Sequence, residues 1–241
     1  MILSAFSAVD EAPRSSYESP LLRASISVAC SPVSSTGMLI GIDFDNTLVT
    51  YDQVFRDMAF ARGLIDPDFV GTKQEIRDRI RLLPDGELAW QSLQGFVYGK
   101  GIALAQMFEG ADAFLRHARA EGLPVVVVSH KTEYGHYDQD RVNLRESARA
   151  WMRANGFFAS DGYGIPAENV YFEGSRAEKL ERIESLGCTC FIDDLEEVLE
   201  DPEFPEGISR ILFSQKKPVR SAPYAICTSW RQIEEHVFGY V

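Results

Sequence analysis

The chain has 241 residues, 45% hydrophobic and 25% charged, with 36 acidic against 24 basic side chains and a formal net charge of -12. That length accommodates one substantial α/β core with a small accessory region. The acidic balance disfavours a nucleic-acid backbone or an anionic membrane surface as partner, and no apolar run is long enough to span a bilayer.

Residues 1–37 are rich in Ser, contain Pro13, Pro20 and Pro32, and show no sustained periodicity, so they read as a disordered extension. Asp10, Glu11 and Glu18 count against a transit peptide, and a secretory signal would need a longer apolar core. Met38 stands directly before the first strand, and one reading starts translation there, with the upstream tract an over-long gene prediction.

The apolar run Met38-Leu39-Ile40-Gly41-Ile42 then ends abruptly in Asp43-Phe44-Asp45-Asn46-Thr47. Side chains alternate along a strand, so Asp43 and Asp45 leave the sheet on the same side. Two like charges that close are costly unless a cation, a shared proton or a substrate requires them.

Residues 52–107 read as a mostly helical insert, with helices over 54–62, 72–82, 87–96 and 102–108 punctuated by Pro67, Pro84, Gly95, Gly99 and Gly101. In its Gly-rich turn, Tyr98 and Lys100 are read either as reaching towards a ligand or as a plain interhelix turn. An amphipathic helix over 111–120 follows, closed by Gly122, and then a β-branched strand over 124–128 ending in Ser129-His130-Lys131. The loop from His130 to Asp138 is dense in recognition groups, although His130, His136 and Asp138 match no standard zinc spacing.

Leu144, Ala148, Trp151 and Met152 follow helical spacing up to Gly156. Further on come a strand over 170–172, a helix over 177–186 closed by Gly187, and a strand over 188–192 ending in Asp193-Asp194. Strands over 208–213 and 224–227 and a helix over 232–238 complete the chain. The alternation predicts an α/β fold: a Rossmann-like parallel sheet with helices on both faces. Ligands of such sheets sit beyond the carboxyl ends of the strands, where the three polar strand ends would meet. Cys30, Cys188, Cys190 and Cys227 have neither zinc nor redox spacing and fit a reducing cytosol.

These motifs resemble those of the haloacid dehalogenase-like (HAD) superfamily of phosphohydrolases. Asp43-Phe44-Asp45-Asn46-Thr47 is similar to its first motif, Ser129 to its second, Lys179 to its third and Asp193-Asp194 to its fourth, all in the family's order. The resemblance implies a core over 38–51 and 108–241, with a small helical cap over 52–107 that covers the site and selects the substrate. It makes Asp43 the nucleophile that becomes an aspartyl-phosphate, and Asp45 the acid and base. Lys179 neutralises Asp43 and the phosphate, with Arg176 as a neighbour able to substitute.

Thr47 and Ser129, with main-chain N–H groups such as those of Asn46 and His130, are expected to bind phosphoryl oxygens. His130, Lys131 and His136 are expected to face a second anionic or hydroxyl-rich part of the substrate. A Mg²⁺ ion is expected on the Asp43 carboxylate, the Asp45 carbonyl and a fourth-motif acid, with Asp193 favoured as direct ligand, Asp194 behind it and the reverse order open. Glu196 and Glu197 read as helix-start acids.

An acid at the position of Asp45 separates phosphoryl-transfer members of that family from its dehalogenases. The implied activity is a cytoplasmic, Mg²⁺-dependent phosphatase for a small phosphorylated metabolite of the sugar phosphate or nucleotide class. A phosphotransferase or phosphomutase with the same intermediate and a catalytically silent binding module are the alternatives, and the oligomeric state is open.

Overall fold

The computed structural model describes residues 37–135, 141–216 and 221–239. The extension over residues 1–36 with its Cys30, and the loop residues His136 and Asp138, lie outside them.

Among the described residues there are eight strands: β1 (Ile40–Ile42), β2 (Val49–Thr50), β3 (Gln106–Met107), β4 (Val125–His130), β5 (Val170–Glu173), β6 (Cys190–Asp193), β7 (Ser209–Phe213) and β8 (Ala225–Cys227). Six of them form one sheet in the order β5-β4-β1-β6-β7-β8, with every pairing parallel. β1 lies in register with Val125 to Val127 on one side and with Cys190 to Ile192 on the other.

The helices are α1 (Asp52–Ala61), α2 (Lys73–Arg81), α3 (Gly86–Tyr98), α4 (Ala111–Ala120), α5 (Leu144–Ala154), α6 (Arg176–Leu186), α7 (Glu196–Leu199) and α8 (Trp230–Phe238). Period-two alternation divides the sheet residues between two apolar layers, as a sheet covered on both faces requires. Ile40, Ile42, Val127, Cys190, Ile192 and Ile211 join the layer that contains Phe114 of α4, Trp151 of α5 and Trp230 of α8. Val126, Val128, Phe191 and Leu212 join Leu180 and Ile183 of α6 and Val198 and Leu199 of α7. Gly41 faces this second layer, where an added Cβ would lie 2.5 Å from the Phe191 ring, so the strand tolerates no side chain there.

Local chemistry sets the helix ends. Ser175 and Ser229 cap α6 and α8 through their hydroxyls, Asn143 caps α5, and Thr72 with Glu75 forms a capping box on α2. α6 stops where Gly187 turns left-handed at φ +69.

The segment between β2 and β3 carries α1, α2 and α3. The two short strands pair antiparallel, Val49 with Met107 and Thr50 with Gln106, so both ends of the segment leave from one ladder. Phe55 of α1 stacks on Trp90 of α3 at 5.1 Å. Their side chains continue the layer that holds Ile40 and Ile42.

Of the element boundaries that differ from the sequence reading, two have a cause in the hydrogen bonding. Residues 102–108 are not a helix: a 3-10 turn at Lys100–Leu104 gives way to β3. The carbonyl of Ala105 accepts the Trp151 indole N–H at 2.9 Å and the Phe108 N–H donates to Leu48, so neither group is left for a helical ladder. The sixth strand starts at Cys190 rather than Cys188, because the Cys188 N–H closes the end of α6 on the Ile183 carbonyl. Among the described residues no helix is long and apolar enough to cross a membrane, and Cys188, Cys190 and Cys227 are buried and form no disulfide.

Candidate active site

β4, β1 and β6 are neighbours, so their carboxyl ends deliver Ser129, Asp43 and Asp193 side by side. The main-chain N–H of Asp43 donates to the Ile192 carbonyl at 2.9 Å and ties the tip of β1 to β6. Lys179, in the first turns of α6 and 1% exposed, reaches this point from the face of the sheet. Its Nζ donates to Asp43 Oδ1 at 2.7 Å and to Asp193 Oδ2 at 2.6 Å. Asp43, Asp193 and Asp194 offer carboxylate oxygens that all lie within 4.8 Å of one another.

The electrostatics follow from burial. Loss of solvent raises the Asp43 carboxyl from its ordinary 3.8 to about 6, overcoming the attraction of Lys179, while the charges of Asp193 and Asp45 push the same way. Burial also lifts Asp194 well above the carboxylate range, helped by Asp43 and Asp193. Burial alone would lower the Lys179 ammonium, but Asp193 and Asp43 outweigh it and hold the group above the ordinary lysine value.

A second ion pair stands beside the first. Lys131, its side chain 3% exposed, donates to Asp45 Oδ2 at 2.6 Å and Oδ1 at 2.9 Å. The Tyr51 hydroxyl donates to Asp45 Oδ1 at 2.5 Å. Burial, then the Asp45 charge, raises the Tyr51 phenol well above its ordinary value. The Lys131 Nζ lies 5.5 Å from the centre of the Phe44 ring and 5.1 Å from that of Tyr98. With all four acids at 43, 45, 193 and 194 ionised, as metal binding requires, the two ammonium groups of Lys179 and Lys131 leave two negative charges for a cation to neutralise. Hard oxygen donors with that deficit fit a divalent cation of the magnesium type.

A cavity of about 360 Å³ opens beside Asp43, lined among others by Asp45, Ser129, His130, Arg176 and Asp194. The geometry departs from the sequence reading at several residues. Lys131 turns inward to Asp45, so its ammonium is not presented to a second part of a substrate. The Asn46 N–H donates to the Val49 carbonyl at 2.9 Å, which closes the φ +60 turn at Asn46 and occupies that donor. Thr47 is fully buried behind the acids, its hydroxyl 3.5 Å from Asp43 Oδ2 and 3.4 Å from Asp194 Oδ1, and its carbonyl accepts the Trp230 indole N–H.

Arg176 is drawn to Asp201 at 3.1 Å, at the rim of the cavity. A ring nitrogen of His130 meets the Gly174 carbonyl at 3.1 Å. Asp193 has one oxygen on Lys179 and the other on the Leu195 N–H, whereas Asp194 lines the cavity. Glu196 and Glu197 occupy the first turn of α7.

Sequence reasoning missed the bonds of Tyr51 and Lys131 to Asp45. For Lys131 a signal existed: it lies two residues beyond Ser129, and strand period places the two on one face. For Tyr51 none did, since its approach to Asp45 depends on the turn between them.

No family model matches the sequence, and no curated protein matches it. Solved structures do. A haloacid dehalogenase-like family hydrolase from Streptococcus pneumoniae superposes with a TM-score of 0.53 at 14% identity, covering 83% of this chain and 97% of that one. The chain has the haloacid dehalogenase-like fold. The protein tyrosine kinase A of Mycobacterium tuberculosis is also similar in structure, with a TM-score of 0.53, 16% identity and coverage of 83% and 97%. So is a HAD family hydrolase from Deinococcus radiodurans R1 with bound phosphate and sodium, with a TM-score of 0.50, 15% identity and coverage of 83% and 94%.

Proposed function

We propose that this HAD-fold chain is a Mg²⁺-dependent phosphatase for small phosphomonoesters, working through an aspartyl-phosphate on Asp43. The observation that carries the reading is the buried bridge of Lys179 between Asp43 and Asp193, set among three converging carboxylates at the tip of β1. A buried, unneutralised acid cluster is a poor structural device, and it suits a site that handles a cation and an anion together. The bound phosphate in the Deinococcus radiodurans neighbour is in keeping with it.

A magnesium ion held by Asp43, Asp194 and the Asp45 carbonyl would neutralise charge on the phosphoryl oxygens. Asp194 would hold the ion directly, because both oxygens of Asp193 are already engaged. Lys179 keeps the Asp43 carboxylate aimed and, with Ser129, meets the phosphoryl group. An Asp43 oxygen attacks phosphorus as the ester P–O bond breaks, and Asp45, which takes up a proton from solvent as the anionic ester enters, gives that proton to the leaving oxygen. Asp45 then takes a proton from water, whose oxygen displaces the Asp43 oxygen from phosphorus. Lys131 and Tyr51 position the Asp45 carboxylate for both steps. The segment over 52–107 acts as the cap.

Phosphate release from aryl and alkyl phosphates, with Mg²⁺ present and absent, tests the reading. Wild-type turnover should depend on the metal, and Asp43→Asn should lose on the order of a thousandfold or more. Equal background rates in both proteins would leave a HAD fold without this chemistry. Added alcohol acceptors separate hydrolysis from transfer.

A further inference from the structure

We propose that a second cleft beside Lys73 is an anion subsite, which takes a further phosphate or a carboxylate carried by the substrate. The inference deepens the phosphatase reading and rests on it for the scissile phosphoryl group alone.

The cleft holds about 340 Å³ and shares Asn46 and Asp194 with the cavity beside Asp43, so one small molecule can occupy both. Its walls combine residues after β1, the start of α2 and the segment that follows β7. Thr72, Lys73 and Gln74 form the start of α2, at the positive end of that helix. Lys216, beyond the carboxyl end of β7, lines the cleft as well.

Lys73 is the decisive residue. Its Nζ donates to the Tyr98 hydroxyl and lies 5.3 Å from the centre of the Phe55 ring and 5.1 Å from that of Tyr98. Among the described residues no carboxylate pairs with it, in a chain with an excess of acids. An ammonium enclosed by aromatic rings and a phenol has given up much of its hydration, and Asp45 and Asp194 act on its charge without forming an ion pair with it. An anionic group of the substrate would pair with it directly.

Burial alone would weaken protonation of Lys73, but Tyr98, Asp45 and Asp194 outweigh it, so the group is cationic at neutral pH. Two acids also line the cleft. Asp194 belongs to the carboxylate cluster that faces the metal, and Asp52 lies in the first turn of α1, where the helix dipole accommodates it.

The test compares propyl phosphate, its ω-carboxylated counterpart and propanediol bisphosphate. Each is titrated calorimetrically in Mg²⁺ buffer into Asp43→Asn, which binds ester without turnover. The carboxylated ester or the bisphosphate should bind at least about tenfold more tightly than propyl phosphate. The tighter of the two identifies the anion. Adding Lys73→Gln should shrink the advantage to within about twofold and leave propyl phosphate affinity unchanged, and Lys216→Gln should reduce it in part.

Equal affinities for all three esters, no binding of any, or an advantage that survives Lys73→Gln would each overturn the subsite. Wild-type phosphate release is measured on the same esters. If it is absent while the binding advantage holds, the phosphatase reading fails and the subsite stands. If all three esters are hydrolysed with equal efficiency and bound equally, the reverse is true.

Discussion

Replacing Lys179 by Met keeps a side chain of similar length and removes only the charge that joins two strand tips. In the wild-type protein the Nζ sits 2.7 Å from Asp43 and 2.6 Å from Asp193, out of solvent. Removing one partner of a buried pair costs about 3–5 kcal/mol, because the charge left behind has neither water nor counter-ion. In a domain of this size each kcal/mol moves the melting temperature by about 2–4 °C, so Lys179→Met should melt about 6–20 °C lower at pH 7.5 in metal-free buffer.

The sign of the pH dependence follows from Asp43. Its carboxyl is raised from 3.8 to about 6, so between those values the folded state holds a proton that the unfolded state has released. That contribution is whole below the unfolded value and is lost as pH rises through the folded one, about 3 kcal/mol in all. Without Lys179 the folded value climbs further, so the penalty of the substitution should be smaller at pH 5.5, where Asp43 is protonated, than at pH 7.5. Differential scanning calorimetry at both pH values measures this. Turnover should fall by a factor on the order of 10²–10³, as when one preorganised donor is lost from a reacting anion. A variant that melts with the wild type at pH 7.5, or loses the same amount at both pH values, would show that Lys179 is not the neutralising group.

Mg²⁺ at about a hundred times its dissociation constant should stabilise the protein by about 2.7 kcal/mol, about 5–11 °C in melting temperature. Asp194→Asn should remove more than half of that shift, and a shift unaffected by the substitution would exclude Asp194 as a ligand. Lys131→Met should lower kcat/KM on alkyl phosphates by about 10² or more, but far less on aryl phosphates, whose leaving oxygens need little proton help. Equal losses on both would mean that Lys131 does not act through Asp45. Trp230→Phe keeps the packing on Phe114 but leaves the buried Thr47 carbonyl without its indole donor, 3.0 Å away. It should cost about 1–3 kcal/mol, read as a lower urea midpoint at unchanged slope, and an unchanged midpoint would contradict this.

The sequence alone was sufficient for the sheet and for the order of its polar strand ends. β-branched runs such as Val125 to Val128 and the turn-forming Gly122 and Gly187 act locally, and strand period two fixes that Asp43 and Asp45 emerge together. Residues 102–108 were misjudged because their pattern is helical, while their hydrogen bonds go to Trp151 and Leu48, far away in the chain.

Only the tertiary structure decided which charges meet. Lys131 and Asp45 are 86 residues apart, Lys179 and Asp43 are 136 apart, and no local propensity encodes either approach. The same holds for the uneven roles of Asp193 and Asp194. The two are adjacent and chemically identical, and one faces an ammonium while the other faces the cleft, because the strand ends between them. Charge, unlike apolar periodicity, acquires its meaning from what lies within a few ångströms in space.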